Sequence, residues 1–357
     1  MTSHEEFGAE TTATQVAVAL RENINGRNVV VTGVGPASIG YTTVLAIASQ
    51  SPAKLILASR TKKKLDAVAA DIAKVYPGVD VRTVTLDLAA VASVKAAAAT
   101  IAGLVDHIDV LINNAGISTP ERHPLTAPDG RTLDSQFFTN HIGVFLFTAL
   151  LLPQLRAAAV SARSNGTKKG ATRVVNLTSQ GHRLSPVRFS DYAFEKDIYE
   201  VPESEKPASS IPPFFAKTVD GYPGFLAYGQ SKSANILHAS ELSRRFSAHG
   251  DDIVALSVHP GTIETELSRS LDKEGLDTIN KTAPKGVWKT QDQGSATTLV
   301  AAFDPALGAV GVGSATVGYL SDCQLHDDMV APHAARTDAA KRLWEESERF
   351  LQFSVGL

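Results

Sequence analysis

A succession of short apolar runs, spaced evenly along the chain with helix-like stretches between them, limits this sequence more than any other feature. The runs are VVVTG (29–33), KLILAS (54–59), VRTVTL (81–86), DVLINNAG (109–116), RVVNLTS (173–179) and DIVALSVHPG (252–261). They are rich in Val, Ile and Leu and lack the polar alternation of a half-exposed strand, the pattern of strands buried on both faces. Between them, 61–75, 91–104, 135–156 and 228–247 carry Ala, Leu, Lys and Glu at helical spacing. Strand and helix in regular turn predict an α/β chain: a doubly wound parallel sheet with helices on both faces, three layers in one domain. In such a sheet ligands bind beyond the carboxyl ends of the strands, so the residues that end each run carry the functional reading.

Outside this rhythm, residues 1–13 are polar and expected to fray, and ATQVAVALRENING reads as a short helix closed by a turn at Asn25-Gly26. Residues 1–24 are therefore an extension, and 25–357 the domain. Two irregular segments, 183–224 and 262–285, leave from the ligand edge of the sheet and are candidate walls of a substrate pocket. The tip at 203–213 reads instead as surface decoration. With 43% hydrophobic residues, 357 residues bury a full core, and a formal charge of -3 suggests neither a nucleic-acid groove nor an anionic membrane surface. A small molecule is the expected partner. The lone cysteine, Cys323, reads as a half-buried packing residue in a reducing compartment. No apolar run approaches the roughly 20 residues that cross a bilayer, and MTSHEEFGAE lacks a signal peptide's basic flank, so a cytoplasmic location is expected.

The loop VTGVGPASIG (31–40) follows a strand and precedes a helix, placing backbone N–H groups at a helix N-terminus where a phosphate can sit. Alone it does not decide for a nucleotide. Tyr228-Gly-Gln-Ser-Lys232 is more telling: residues four apart share a helical face, so the ammonium can depress the phenol from its ordinary pKa of about 10 towards neutrality. The tyrosine then serves as an acid or base. Ser179 ends one strand, Asn113-Asn114-Ala115-Gly116 ends another, and Asn140 lies in the helical stretch TNHIGVFLFT.

These motifs, with Thr32-Gly33, Asp87-Leu88 and Pro260-Gly261-Thr262, resemble the short-chain dehydrogenases/reductases over 14–357. TTATQVA, NHIGVFLFT, YGQSKSANILHASELSRRF, HPGTIETEL and KRLWEESERFL are similar to the retinol dehydrogenase and WW-domain oxidoreductase branch. The resemblance implies a Rossmann fold and a catalytic tetrad of Asn140, Ser179, Tyr228 and Lys232. Tyr228 would exchange a proton with the substrate oxygen, Ser179 would hydrogen-bond that oxygen, Lys232 would also hold the nicotinamide ribose, and Asn140 would hold a water. It further implies cofactor contacts from Gly33, Ser38, Ile39 and Gly40 at the phosphates and from Asp87 and Leu88 at the adenine. Asn114, Ala115 and Gly116 would meet the adenosine ribose, and Pro260, Gly261 and Thr262 the carboxamide. The family often pairs the helix carrying Y-x-x-x-K with its copy, which implies a homodimer.

Cofactor choice turns on LILASRTKKK, where Ser59-Arg60 and Lys62, Lys63 and Lys64 stand in place of the acidic residue that would bind the 2′-OH of NAD. NADP(H) is favoured over NAD(H), with Arg60 on the 2′-phosphate and two of the lysines merely solvated. The chain departs from the family in two places. The loop is one residue longer than usual, with Ala37-Ser38 where glycine is expected, and Ser179 and Tyr228 are separated by a long insertion. His141, His182 and His259 flank motif residues and read as packing or as supporting hydrogen bonds; none has metal-ligand spacing. Trp288, Trp344 and Phe350 lie in helix-like stretches and read as core. The leading function is reduction or oxidation of a carbonyl/alcohol pair on a small lipophilic molecule. Alternatives are a dinucleotide-sensing regulator without turnover and an NAD-linked alcohol dehydrogenase.

Overall fold

The computed structural model describes residues 1–164, 169–198, 200–263, 277, 288–310 and 317–357. Its centre is an eight-stranded sheet in the order β8-β7-β6-β5-β4-β1-β2-β3. The strands are β1 (Asn28–Thr32), β2 (Lys54–Ser59), β3 (Val81–Thr85), β4 (Val110–Asn113), β5 (Thr172–Leu177), β6 (Ile253–Val258), β7 (Tyr319–Ser321) and β8 (Gln324–Leu325). All neighbours run parallel except the terminal β7–β8 hairpin. Successive side chains on a strand point to opposite faces, so a strand buried twice must be apolar throughout. Val29 and Val31 pack on one face with Leu55, Leu57, Val110 and Ile112, while Val30, Ile56 and Leu111 pack on the other. The last two strands escaped the sequence reading because three and two residues are too short to register as apolar runs.

One layer comprises α1 (Ala13–Ala19), α2 (Ile39–Ala48), α3 (Lys62–Val75) and α8 (Gln291–Phe303). The other holds α4 (Val91–Leu104), α5 (Gly143–Leu150), α6 (Leu152–Ser164), α7 (Gly224–His249) and α9 (Thr337–Leu351). The helix expected over 135–156 is not continuous. It opens with a short turn and a π-helical turn at Phe138–Ile142, and it bends by 55° between α5 and α6, where Pro153 in the first turn of α6 has no N–H to continue the ladder. Among the described residues, no single helix is long and apolar enough to cross a membrane.

The expectation of a frayed start is corrected. Ser3 donates its N–H to Asp304 (2.8 Å), Gln324 donates to the carbonyls of His4 (2.9 Å) and Phe7 (2.8 Å), and Thr12 caps α1 in a reciprocal box with Gln15. Polar residues read as solvated because their partners lie some 300 positions away. Cys323 is buried rather than half-buried, its N–H donating to Thr297 (3.1 Å).

Candidate active site

The crossovers diverge at β1, which pairs with β2 on one side and β4 on the other. Beyond the ends of β1 and β4 lies the crevice where a doubly wound sheet takes its ligand. Gly33 leaves β1 with φ 72°, and a Cβ there would fall 2.6 Å from Ala115 Cα. At Gly40 a Cβ would fall 2.7 Å from the Gly33 carbonyl oxygen. Both positions require glycine for close packing of strand, loop and helix. Asn114 braces the turn, donating to the carbonyls of Thr32 (2.8 Å) and Gly33 (3.2 Å), and the Ala115 N–H donates to Thr32 Oγ1 (3.0 Å).

The lengthened loop resolves in an unexpected way. Ala37 takes the left-handed conformation, φ 58°, that the missing glycine would occupy more easily. Ser38 is the N-cap of α2: its hydroxyl accepts from the Tyr41 N–H (3.2 Å) and donates to the Gly35 carbonyl (2.7 Å). With its one proton committed there, what Ser38 offers a phosphate is its backbone N–H, alongside those of Ile39 and Gly40 in the first turn.

Arg60 is exposed just past β2. Lys62 pairs with Asp66 at 2.8 Å, whereas the stem of Lys64 packs beside Gly35, 3.7 Å from where a Cβ would stand. Asp87 closes the turn after β3, its carboxylate accepting from the Ala89 N–H (3.0 Å). Leu88 buries its side chain in the core, and its carbonyl lies so close to Gly143 that a Cβ there would sit 2.1 Å away. A flanking role for Leu88 falls to its main chain.

Ser179 follows β5 and caps a 3-10 turn, Gln180–Arg183, its hydroxyl accepting from the Gly181 N–H (3.1 Å). Tyr228 stands one turn inside α7 rather than at its start, since the helix opens at Gly224. Its ring lies on Gly181, where a Cβ would approach to 2.9 Å, and Ser179 is near enough to the phenol to pull its pKa down. One turn on, Lys232 donates to the Leu177 carbonyl (3.1 Å), with Nζ 5.5 Å from the Tyr228 ring centre. A Cβ at Gly116 would stand 3.1 Å from that Nζ, so the end of NNAG leaves the lysine its room. The insertion thus does not keep serine and tyrosine apart.

The expected depression of the phenol by the ammonium is not what the site shows. Burial pushes Tyr228 up to about 12, with neighbouring Ser179 pulling the other way, and burial pushes Lys232 down to about 8. Desolvation is the dominant cause for both groups, and the ammonium is bonded to a main-chain carbonyl.

Asn140 lies in the π-helical turn, a kind of irregularity that clusters at functional sites. Its side-chain amide donates to the Ile117 carbonyl and Ser231 Oγ (2.9 Å each), and its Oδ1 accepts from the Ile117 N–H (2.8 Å). Ser231 in turn donates to the Tyr228 carbonyl (2.7 Å). The side chain therefore ties the chain after NNAG to α7, and a water-holding role would rest on its main chain. Thr178 and Asn235 do similar work, bonding the Lys232 carbonyl (2.7 Å) and the Leu177 carbonyl (2.8 Å). The sequence reading missed both, although each lies within three residues of a motif position.

Past β6, Gly261 has φ 93° and the Lys289 stem packs where a Cβ would go. Thr262–Ile263 pairs in parallel with Trp288–Lys289, and Lys289 pairs with Asp322. Trp288 is thus an exposed strand residue, not part of a helix, while Trp344 and Phe350 are core. Apart from its first two residues and Asp277, the 262–285 segment lies outside the described residues. The 183–224 segment is folded. The buried Arg188 guanidinium bonds Asp191 (2.5 Å) and lies 4.4 Å over the Phe194 ring, and Tyr222 donates to Asp134 (2.6 Å). Even at the tip, Glu205 is buried and accepts from the Ser190 hydroxyl and N–H. Phe214, Phe215 and Phe225 cluster with ring centres 5.3–5.5 Å apart, Phe225 one turn before Tyr228. His141 and His259 are core side chains; His141 bonds Ser347 (2.8 Å). Among the described residues no group of His, Cys, Asp or Glu is arranged for a metal.

The crevice fits a dinucleotide on its own terms: two glycines that a Cβ would block, a helix N-terminus, and a buried, unpartnered Asn114 Oδ1. Such a crevice, in a parallel sheet with helices on both faces, defines a Rossmann fold. The chain belongs to the short-chain dehydrogenase/reductase family, whose members bind NAD or NADP. The short chain dehydrogenase family model matches residues 27–196. Short-chain dehydrogenase TIC 32 A, chloroplastic, of Brassica napus is 32% identical over 97% of this chain and 94% of its own length. Retinol dehydrogenase 13 of Homo sapiens is 32% identical, covering 93% of this chain and 86% of its own. Among solved structures, an uncharacterized protein from Mycobacterium paratuberculosis superposes with a TM-score of 0.60 at 29% identity, covering 93% of this chain and 96% of that one.

Proposed function

We propose that the protein interconverts a carbonyl and a secondary or primary alcohol on a small lipophilic molecule with NADP(H), using Tyr228 as acid and base. The observation that carries this reading is the meeting of Tyr228, Ser179 and Lys232 at the mouth of the β1/β4 crevice. The bound dinucleotide supplies or accepts the hydride; the protein supplies position and a proton. A phenol held up near 12 stays protonated at neutral pH, which suits it to give its proton to a carbonyl oxygen in reduction. Ser179 donates a second hydrogen bond to the same oxygen as negative charge gathers there. The Phe214, Phe215 and Phe225 cluster, one helical turn from Tyr228, favours an apolar group beside that carbonyl.

NADP(H) preference rests on Arg60, with Lys64 beside the loop. The resemblance's homodimer would pair α7 with its copy, but α9 covers the α7 face carrying His238 and Arg245, so pairing would use the rest of that helix. A dinucleotide sensor would have no need of the complete Asn140, Ser179, Tyr228 and Lys232 set. The deciding experiment follows NADPH absorbance against a panel of ketones, aldehydes and quinones. Tyr228→Phe is expected to abolish turnover, a loss on the order of a thousandfold or more, while NADPH binding by fluorescence stays intact; retained turnover would sink the reading.

A further inference from the structure

We propose that His182 is a positioning residue for the reaction, its imidazole bridging the Ser179 carbonyl to the main chain at Ala331, so that the serine's turn is held from outside the sheet. The inference rests on the reading of Ser179 as the group that orients the substrate oxygen.

The bridge is fixed by hydrogen-bond chemistry. Nδ1 of His182 lies 2.7 Å from the Ser179 carbonyl oxygen, which can only accept, so Nδ1 carries the proton. Nε2 is then the bare nitrogen, and it accepts from the Ala331 N–H at 3.1 Å. One neutral tautomer satisfies both ends, and no water competes because the side chain is fully buried. The same two segments are joined again on either side. Arg183 donates to the Met329 carbonyl (2.8 Å), and His333 Nε2 donates to the His182 carbonyl (2.8 Å), which Ser233 of α7 also reaches (2.9 Å). The ring rests against Tyr319 of β7, 5.5 Å between centres. Asp327 anchors the far side, its carboxylate accepting from the N–H groups of Val317 (3.0 Å) and Tyr319 (2.9 Å).

The Ser179 turn has reason to need this support. It is a four-residue 3-10 helix, a form with poor hydrogen-bond geometry, and the Ser179 hydroxyl is held there by the Gly181 N–H. Burial pulls His182 down to about 4, so the imidazole keeps its tautomer through the neutral range. Sequence alone sets 182 and 331 nearly 150 positions apart and gives no sign of the link.

The test uses the full chain, NADPH and 4-nitrobenzaldehyde as carbonyl probe, with hydrogen exchange of peptides covering 178–184 and 326–334. His182→Asn keeps a donor for Ser179 and drops the acceptor for Ala331; it is expected to speed exchange in both peptides and to lower kcat on the order of tenfold or more with NADPH affinity unchanged. In a Ser179→Ala background the same substitution should cost no further kcat, because its effect runs through the serine. His182→Gln, which can restore the acceptor, should bring exchange at 326–334 back towards the wild type. Exchange at 178–184 untouched by His182→Asn, or kcat losses that simply multiply with Ser179→Ala, would overturn the proposal. If Tyr228→Phe retains turnover, or the probe is not reduced, it is the acid–base reading or the choice of probe that fails, and the exchange arm still decides the bridge.

Discussion

At the scale of single residues, Ala37 shows how a local departure from pattern is accommodated. The sequence displays an extra residue and a missing glycine, but not which of Ala37 and Ser38 takes the left-handed conformation; Ser38 cannot, because capping α2 requires it to be extended. Ala37→Gly is expected to stabilise the fold by about 1 kcal/mol, read as a rise in Tm of about 2 °C, with cofactor affinity at least retained. Arg60→Asp should shift preference from NADPH to NADH, on the order of tenfold or more in the ratio of kcat/KM values; an unchanged ratio removes Arg60 from the 2′-phosphate reading. The paired shifts of Tyr228 and Lys232 give a third expectation. Lys232 loses its proton as pH rises through about 8, and Tyr228 begins to ionise only well above that. Carbonyl reduction should therefore hold level below about pH 8 and decline above it, while alcohol oxidation, which needs the phenolate, climbs with pH. Initial rates in both directions across pH 6 to 10 check the crossing.

At the scale of elements, motifs at strand ends and in α7 were legible because their spacing is local, and strand purity announced a sheet covered on both faces. What stayed hidden was contact between distant segments. Nothing around Asn140 discloses a π-helical turn, nor that Gly143 at its end packs directly under the distant Leu88 carbonyl. Gly143→Ala should accordingly destabilise the protein by roughly 2 kcal/mol or more, seen as a drop in Tm, and weaken turnover by moving Asn140 against Ile117 and Ser231. Trp288 misled for the reverse reason: helical spacing around it persists, but a two-residue pairing with Thr262–Ile263 decides its structure. The phenol's pKa was misjudged because proximity on a helix face was taken as contact, while desolvation is set by the whole packed site.

At the scale of the molecule, the N-terminal segment closes the sheet at its antiparallel end. Thr2 and the carbonyls of His4 and Phe7 engage Gln324 of β8, and Ser3 engages Asp304 below α8. A sheet's last strand is the place where foreign chains add themselves, and proteins with such strands commonly shield them. Here residues 2–7 are bound beside that strand through its Gln324 side chain. Their removal carries a cost in colloidal behaviour rather than in catalysis. A chain lacking residues 1–10 should keep its kcat yet scatter light and elute as larger species with rising concentration.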